Sequence, residues 1–190
     1  MGCSRETSRY VRARPLEWPV VATSLVIRLA DGGDARAIGA IYDEAASGGM
    51  ATFATGPHSE RERRDWLAAR SERSPVWCGL VAGEVVAWSA IAPFSHRSWY
   101  AGVGEYTVYV AERCHGRRMG RRMLAALCEA APEFGYWKLV GMILPENAAG
   151  LALAHGAGFH TVGTHRAHAR REGLWRDVTI VERHLEVDRE

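Results

Sequence analysis

The segment RCHGRRMGRRML, residues 113–124, places five arginines and two glycines between an apolar run, YTVYV, and a helix-like continuation, LAALCEAA. A strand that ends in a glycine-bearing turn and then enters a helix leaves the first N–H groups of that helix unpaired. Those donors and the positive end of the helix dipole favour an anion, above all a phosphate. Gly116 and Gly120 let the backbone come close to it. Arg117, Arg118, Arg121 and Arg122 add charge and bidentate hydrogen bonds. The chemistry these residues suit is the holding of a pyrophosphate; a solvated basic helix face is the other reading. Neither the dinucleotide pattern GxGxxG nor the Walker pattern GxxxxGK[ST] is present.

Around this segment the chain alternates strand-like and helix-like runs. SLVIRLA (24–30) is a β-branched strand candidate, and DARAIGAIYDEAA (34–46) has helical spacing with Asp34 available as its N-cap. GGMATFATGP (48–57) is a loop, and SERERRDWLAARSE (59–72) opens with Ser59 and Glu62 at capping-box spacing. VWCGLVA (76–82) and VVAWSAIAPF (85–94) flank Gly83-Glu84 as a hairpin. SHRSWYAGVG (95–104) is a loop before the strand EYTVYV (105–110), and the helix after the arginine segment ends near Gly135. KLVGMIL (138–144) is a strand, NAAGLALAHGAG (147–158) a short helix, and two strands around THRAHAR and RDVTIVERHL join through Glu172-Gly173. The predicted order is β-α-α-β-β-β-α-β-α-β-β, an α/β or α+β domain built on a mixed central β-sheet. It spans 24–190 after a poorly ordered extension over 1–23, which carries Pro15 and Pro19.

Composition narrows the partners. With 190 residues, 47% apolar, 24% charged and a net charge of +2, the chain suits one soluble domain whose arginine crowding is local. That balance argues against a nucleic-acid partner, for which basic residues would spread across a face. No apolar run reaches the ~20 residues of a membrane span. Cysteines at 3, 78, 114 and 128 form no CxxC pair, so a cytoplasmic setting without disulfides or a metal site is expected. His155, His160, His165 and His168 form no recognisable metal-ligand set.

The strand, turn and helix around residue 116 resemble the acetyl-CoA motif of the GCN5-related N-acetyltransferases, Q/R-x-x-G-x-G/A. The register here is His115-Gly116-Arg117-Arg118-Met119-Gly120, followed by Arg121. His115 replaces Gln or Arg, and Arg118 replaces the middle glycine. ATFAT (51–55), APFSHRSWY (92–100), EYTVYV (105–110), NAAGLALAHGAGF (147–159), VGTHR (162–166) and GLWRDV (173–178) are similar, in order and spacing, to segments of the phosphinothricin and methionine-sulfoximine N-acetyltransferase branch. The resemblance covers about residues 25–186.

The resemblance implies a GNAT fold, acetyl-CoA as cosubstrate, no metal, and a small-molecule amine as acceptor. It implies that Glu105 is the general base, because an amine must be neutral to attack a thioester; a plain strand-start glutamate is the alternative. It implies that Val108, Tyr109 and Val110 offer backbone groups to the pantetheine arm as a neighbouring strand would, core packing being the alternative. It gives Asn147 to the same arm, a role compatible with an ordinary N-cap. It gives Arg97 to the substrate carboxylate, with Ser95 where the branch has a second arginine, and Thr52 and Phe53 to the substrate pocket, where Phe53 also reads as a core aromatic. Where the superfamily has a tyrosine, and this branch often a histidine, to protonate the leaving thiolate, Ala154 stands here, with His155 next to it. The resemblance further implies a homodimer. Other amine acceptors (a protein N-terminus, a polyamine, an aminoglycoside), a CoA-binding domain without catalysis and a nucleic-acid-binding module are the rival readings.

Overall fold

The computed structural model describes residues 24–186; the extension expected over 1–23 lies outside them. Seven strands form one sheet among these residues: β1 (Val26–Leu29), β2 (Val76–Val81), β3 (Glu84–Pro93), β4 (Val103–Val110), β5 (Lys138–Ile143), β6 (His160–Arg171) and β7 (Leu174–His184). Four α-helices accompany them: α1 (Ala35–Ser47), α2 (Glu60–Ala68), α3 (Met119–Ala130) and α4 (Ala148–Gly156). The chain order is the one read from the sequence. Across the sheet the strands run β1-β2-β3-β4-β5-β7-β6, and β4–β5 alone pairs in parallel.

The apolar residues divide between the two faces. Met123, Leu124 and Leu127 of α3 pack with Ile91, Tyr106, Leu139 and Val181 of the sheet. On the opposite face Ile38 and Ile41 of α1 pack with Val76, Cys78, Trp88 and Ala90. Cys78, Cys114 and Cys128 are buried free thiols. No helix among the described residues is long and apolar enough to cross a membrane.

Local chemistry sets the turns. Both hairpin tips use two successive residues of positive φ, Ala82-Gly83 (51° and 84°) and Glu172-Gly173 (50° and 82°), the geometry whose twist suits a two-residue hairpin. The first tip thus lies one residue earlier than Gly83-Glu84. Ser59 and Glu62 form the expected capping box at α2. Asp34 does not cap α1. Its carboxylate is held by the Arg28 guanidinium fork, at 2.7 and 2.9 Å, and by the Asp31 amide. Asp31 caps the short 3-10 turn Gly32–Asp34 instead.

Candidate active site

β4 begins at Val103, two residues earlier than the sequence suggests, so Glu105 sits inside the strand. Val103, Gly104 and Glu105 pair with Lys138, Leu139 and Val140 of β5, and the pairing stops there. Both strands continue, β4 to Val110 and β5 to Ile143, but they diverge. Tyr106, the first residue past the last pair, lies against Gly141 of β5: a Cβ on Gly141 would stand 2.6 Å from its ring. The far side of that ring packs on Phe159. Past Glu105, the β4 edge that faces β5 is therefore open.

A cleft of about 310 Å³ fills the gap. Its walls include Glu105, Val108 and Tyr109 of β4, Met142 and Ile143 of β5, and Asn147 at the head of α4. Asn147 is at once lining and cap, its Oδ1 accepting from Gly150 N at 2.8 Å. Thr52 and Phe53 close the cleft from the α1–α2 loop. That loop is pinned: Thr52 Oγ1 bonds Tyr42 Oη at 2.9 Å, and Arg171 of β6 donates to the carbonyls of Ala46, Gly49 and Thr52.

At the far end of β4 lies the arginine segment. His115 Nε2 hydrogen-bonds Val110 O at 2.9 Å, so its side chain folds back on the strand end. The His115 amide is bonded to Glu112 O; the next backbone amide with an acceptor is Arg122 N, to Arg118 O. The amides of residues 116–121 between them have none among the described residues. Gly116 and Arg118 both take positive φ, 75° and 59°, a local geometry that turns successive N–H groups toward one concavity. The position where the acetyl-CoA motif has its middle glycine thus adopts a glycine-favouring conformation even though arginine occupies it. Arg117, Arg118, Arg121 and Arg122 are exposed; Arg122 also donates to Leu25 O, just before β1. Met119 is buried, offering only its backbone. Gly120 faces inward: a Cβ there would lie 3.3 Å from Leu153 Cδ2, so close packing of α3 on α4 is its local requirement. The open strand edge, the apolar cleft and the run of free amides fit a long acyl carrier with a pyrophosphate at one end.

Glu105 faces a second hollow as well. Glu105, Thr107 and Tyr109 alternate onto the α1/α2 face of β4 and line a cleft of about 230 Å³ with Tyr42, Arg63, Trp66, Arg70, Trp88, Ala90 and Ala92. Burial raises the pKa of Glu105, and no counter-charge or hydrogen bond among the described residues offsets it. A carboxylate pushed upward in this way is a better proton acceptor near neutrality. The second hollow escaped the sequence reading. Arg63 sits in a helix of alternating charges, and its one hint was the aromatic Trp66 three residues on.

The structure brings Glu105, Val108, Tyr109, Asn147, Thr52 and Phe53 together around one cleft, with Val110 and His115 joined at the end of β4 that leads to the arginine segment. It does not bring Arg97 there. Arg97 lies over the Trp99 ring and lines a different hollow with Arg73, Pro93 and Ser95. Ala154 is buried in the core and His155 bonds Thr161. No group of three or more His, Cys, Asp or Glu side chains among the described residues is placed to hold a metal ion.

Known proteins share this fold. The model described as the Acetyltransferase (GNAT) family matches residues 38–159. The L-methionine sulfoximine/L-methionine sulfone acetyltransferase of Pseudomonas paraeruginosa is 29% identical over 168 residues, 87% of this chain and 98% of the relative. A phosphinothricin acetyltransferase of Sinorhizobium meliloti, solved in complex with acetyl-CoA, superposes with a TM-score of 0.78 at 25% identity, over 85% of this chain and 88% of that one. The ribosomal-protein-alanine N-acetyltransferase of Brucella melitensis superposes at 0.80 with 31% identity, over 85% and 100%. The family match spans well over half of the chain, includes the splayed strands and the free amides, and extends to the Asn147 helix, so the chain belongs to the acetyltransferase (GNAT) family.

Proposed function

We propose that this protein transfers an acetyl group from acetyl-CoA to the α-amino group of a small amino-acid-like molecule, of the phosphinothricin or methionine sulfoximine type. The observation that carries the reading is Glu105: it is the last paired residue of β4 before the strands part, and it borders both clefts. A carrier held along the open edge and an acceptor in the second hollow would meet beside its carboxylate.

Acetyl-CoA supplies the activated thioester. The chain's residues do the rest. The amides of 116–121 bind the pyrophosphate, aided by Arg117, Arg118 and Arg121. The exposed β4 backbone at Val108–Val110 and the Asn147 side chain align the arm. Glu105 takes the proton from the acceptor ammonium, directly or through one water. Holding both reactants in one orientation supplies the larger part of the acceleration. A CoA thiol leaves with a pKa near ~8.5 without much acid help, so no acid is assigned. The Brucella neighbour favours a second reading, a protein N-terminus as acceptor. The narrow second cleft suits a free amino acid better than a peptide.

A screen of amine acceptors with acetyl-CoA, following thiol release, tests the reading. Methionine sulfoximine, phosphinothricin and related α-amino acids should be turned over well above background. Turnover confined to peptides with N-terminal alanine would refute it.

A further inference from the structure

Arg63 is only 6% exposed, although its helix neighbours Glu62, Arg64 and Asp65 all face solvent. Its guanidinium stacks on Tyr42 at 4.7 Å and on Trp66 at 5.0 Å. Stacking engages the faces of the guanidinium and leaves the N–H edge free. That edge has no acceptor: Nε and Nη2 are buried and make no hydrogen bond. Trp88 Nε1, in the same cleft wall, is likewise a buried donor without a partner. Arg70, over the other side of Trp66, spends donors on the carbonyls of Ser74 and Ile91 and meets no carboxylate. Burial lowers its pKa, as expected of a cation held away from water without a counter-charge.

Buried polar groups are nearly always paired, and a buried guanidinium without an acceptor is costly. Five side-chain atoms among the described residues are buried without a partner, and three of them belong to Arg63 and Trp88 in this wall. An acceptor-rich anion small enough for about 230 Å³ would match these donors. Glu105 lies in the same cleft but forms no ion pair with either arginine, so its carboxylate is left for a cation.

We infer that the cleft between α2 and the β3–β4 face is the acceptor-binding site, that Arg63 grips the acceptor's carboxylate through its free N–H edge, with Trp88 Nε1 as a further donor and Arg70 as supporting charge, and that the acceptor's ammonium is thereby set against Glu105. The inference rests on the acetylation reading above and adds to it the residue that recognises the acceptor's carboxylate, Arg63. It moves the carboxylate contact from the Arg97 loop to α2.

The test titrates L-methionine sulfoximine, and the same molecule lacking its α-carboxylate, calorimetrically into the CoA-loaded wild-type protein and the Arg63→Met variant. Thiol release is followed in parallel with acetyl-CoA. A hydrogen bond to a charged group accounts for roughly 10- to 100-fold in affinity. The wild type should bind the acid at least ~10-fold tighter than the carboxylate-free amine, Arg63→Met should lose most of that preference, and Arg63→Lys should recover part of it. An acetyl-CoA-induced rise in melting temperature in each variant shows that it is folded. Should no variant fold, the wild-type comparison decides: equal affinity for the two probes, or no binding of the acid, overturns the inference. Equal losses for both probes in Arg63→Met would also overturn it, marking Arg63 as a packing residue. Arg63-dependent binding without thiol release would uphold the anion site and refute acetylation of that acceptor; thiol release indifferent to Arg63 would do the reverse.

Discussion

Replacing Glu105 by glutamine should separate activity from stability. The variant keeps the size of the side chain but cannot take a proton. General-base catalysis contributes roughly 10²- to 10⁴-fold, which is about 3–5 kcal/mol at 1.36 kcal/mol per decade. Turnover at pH 7 should fall ~100-fold or more, and the loss should narrow as pH rises and more of the acceptor amine is already neutral. The affinity for acetyl-CoA should hold, since the open β4 edge and the amides of 116–121 are untouched. Stability should move the other way. Burial raises the folded-state pKa of Glu105 above its unfolded value, and no partner offsets the cost. A raised carboxyl pKa means that folding favours the neutral form. The contribution is complete below the unfolded pKa, near ~4.3, and is lost as pH climbs through the folded value. Wherever the folded wild type holds Glu105 ionised it carries a desolvated charge that glutamine removes. Paired thermal melts without cofactor should give Glu105→Gln a melting temperature equal to or above the wild type at pH 7–8, with the difference shrinking toward pH 4. A variant that keeps turnover within about threefold of wild type at pH 7, or that melts well below it there, would refute the assignment of an unpaired, half-buried base.

Gly120→Val adds two γ-carbons where a single Cβ already stands 3.3 Å from Leu153 and 3.6 Å from Val110, so urea denaturation should show a loss of about 1–3 kcal/mol, with Gly120→Ala much closer to wild type. Arg118→Gly relieves a φ of 59°, worth about 1–2 kcal/mol, against a glycine entropy cost of about 0.5–1 kcal/mol. Its unfolding midpoint should lie at or slightly above the wild type, and that of Arg118→Val clearly below. Arg171→Met strips the carbonyls of Ala46, Gly49 and Thr52 of their shared donor. It should cost about 2 kcal/mol and make residues 48–57 the first site of limited proteolysis.

Features decided by neighbours in sequence were legible before the structure. The Ser59–Glu62 capping box and the Glu172-Gly173 turn are set within four residues, and both stand where the sequence puts them. Asp34 misled because its competitor is six residues upstream: Arg28 offers a two-pronged partner that outbids a helix amide. The run of free amides at the start of α3 was legible for the same local reason, as a strand, a turn with glycine and a helix start are contiguous. The proposed acceptor cleft was not. Arg63 and Arg64 are indistinguishable as letters in ERERRDW, yet one is buried between Tyr42 and Trp66 and the other reaches solvent to pair with Glu60. Only the docking of α2 on the sheet decides which is which, and no local pattern encodes it. Arg97, from a familiar neighbourhood in the chain, stands over Trp99 and lines a hollow that Glu105 does not.

The position of Glu105 follows from how the sheet is assembled. Two of its antiparallel pairs, β2–β3 and β6–β7, are closed by two-residue turns. β4 and β5 have no such turn; α3 intervenes, as parallel pairing requires, and only three residue pairs hold the strands together. Tyr106 follows the last pair; its ring covers the bare backbone of Gly141, packs on Phe159 and belongs to the core beneath α3. The strands part at that ring, and the residue before it is the last whose backbone is fixed on both sides, by Ala92 of β3 and Val140 of β5. Glu105 occupies that position. Its side chain is thus anchored where the sheet is rigid, while the strand edge immediately beyond is free to accept another chain of hydrogen-bonding groups. The proposed base needs fixed geometry and the proposed carrier site needs an unsatisfied edge, and the end of a short parallel ladder supplies both within one residue.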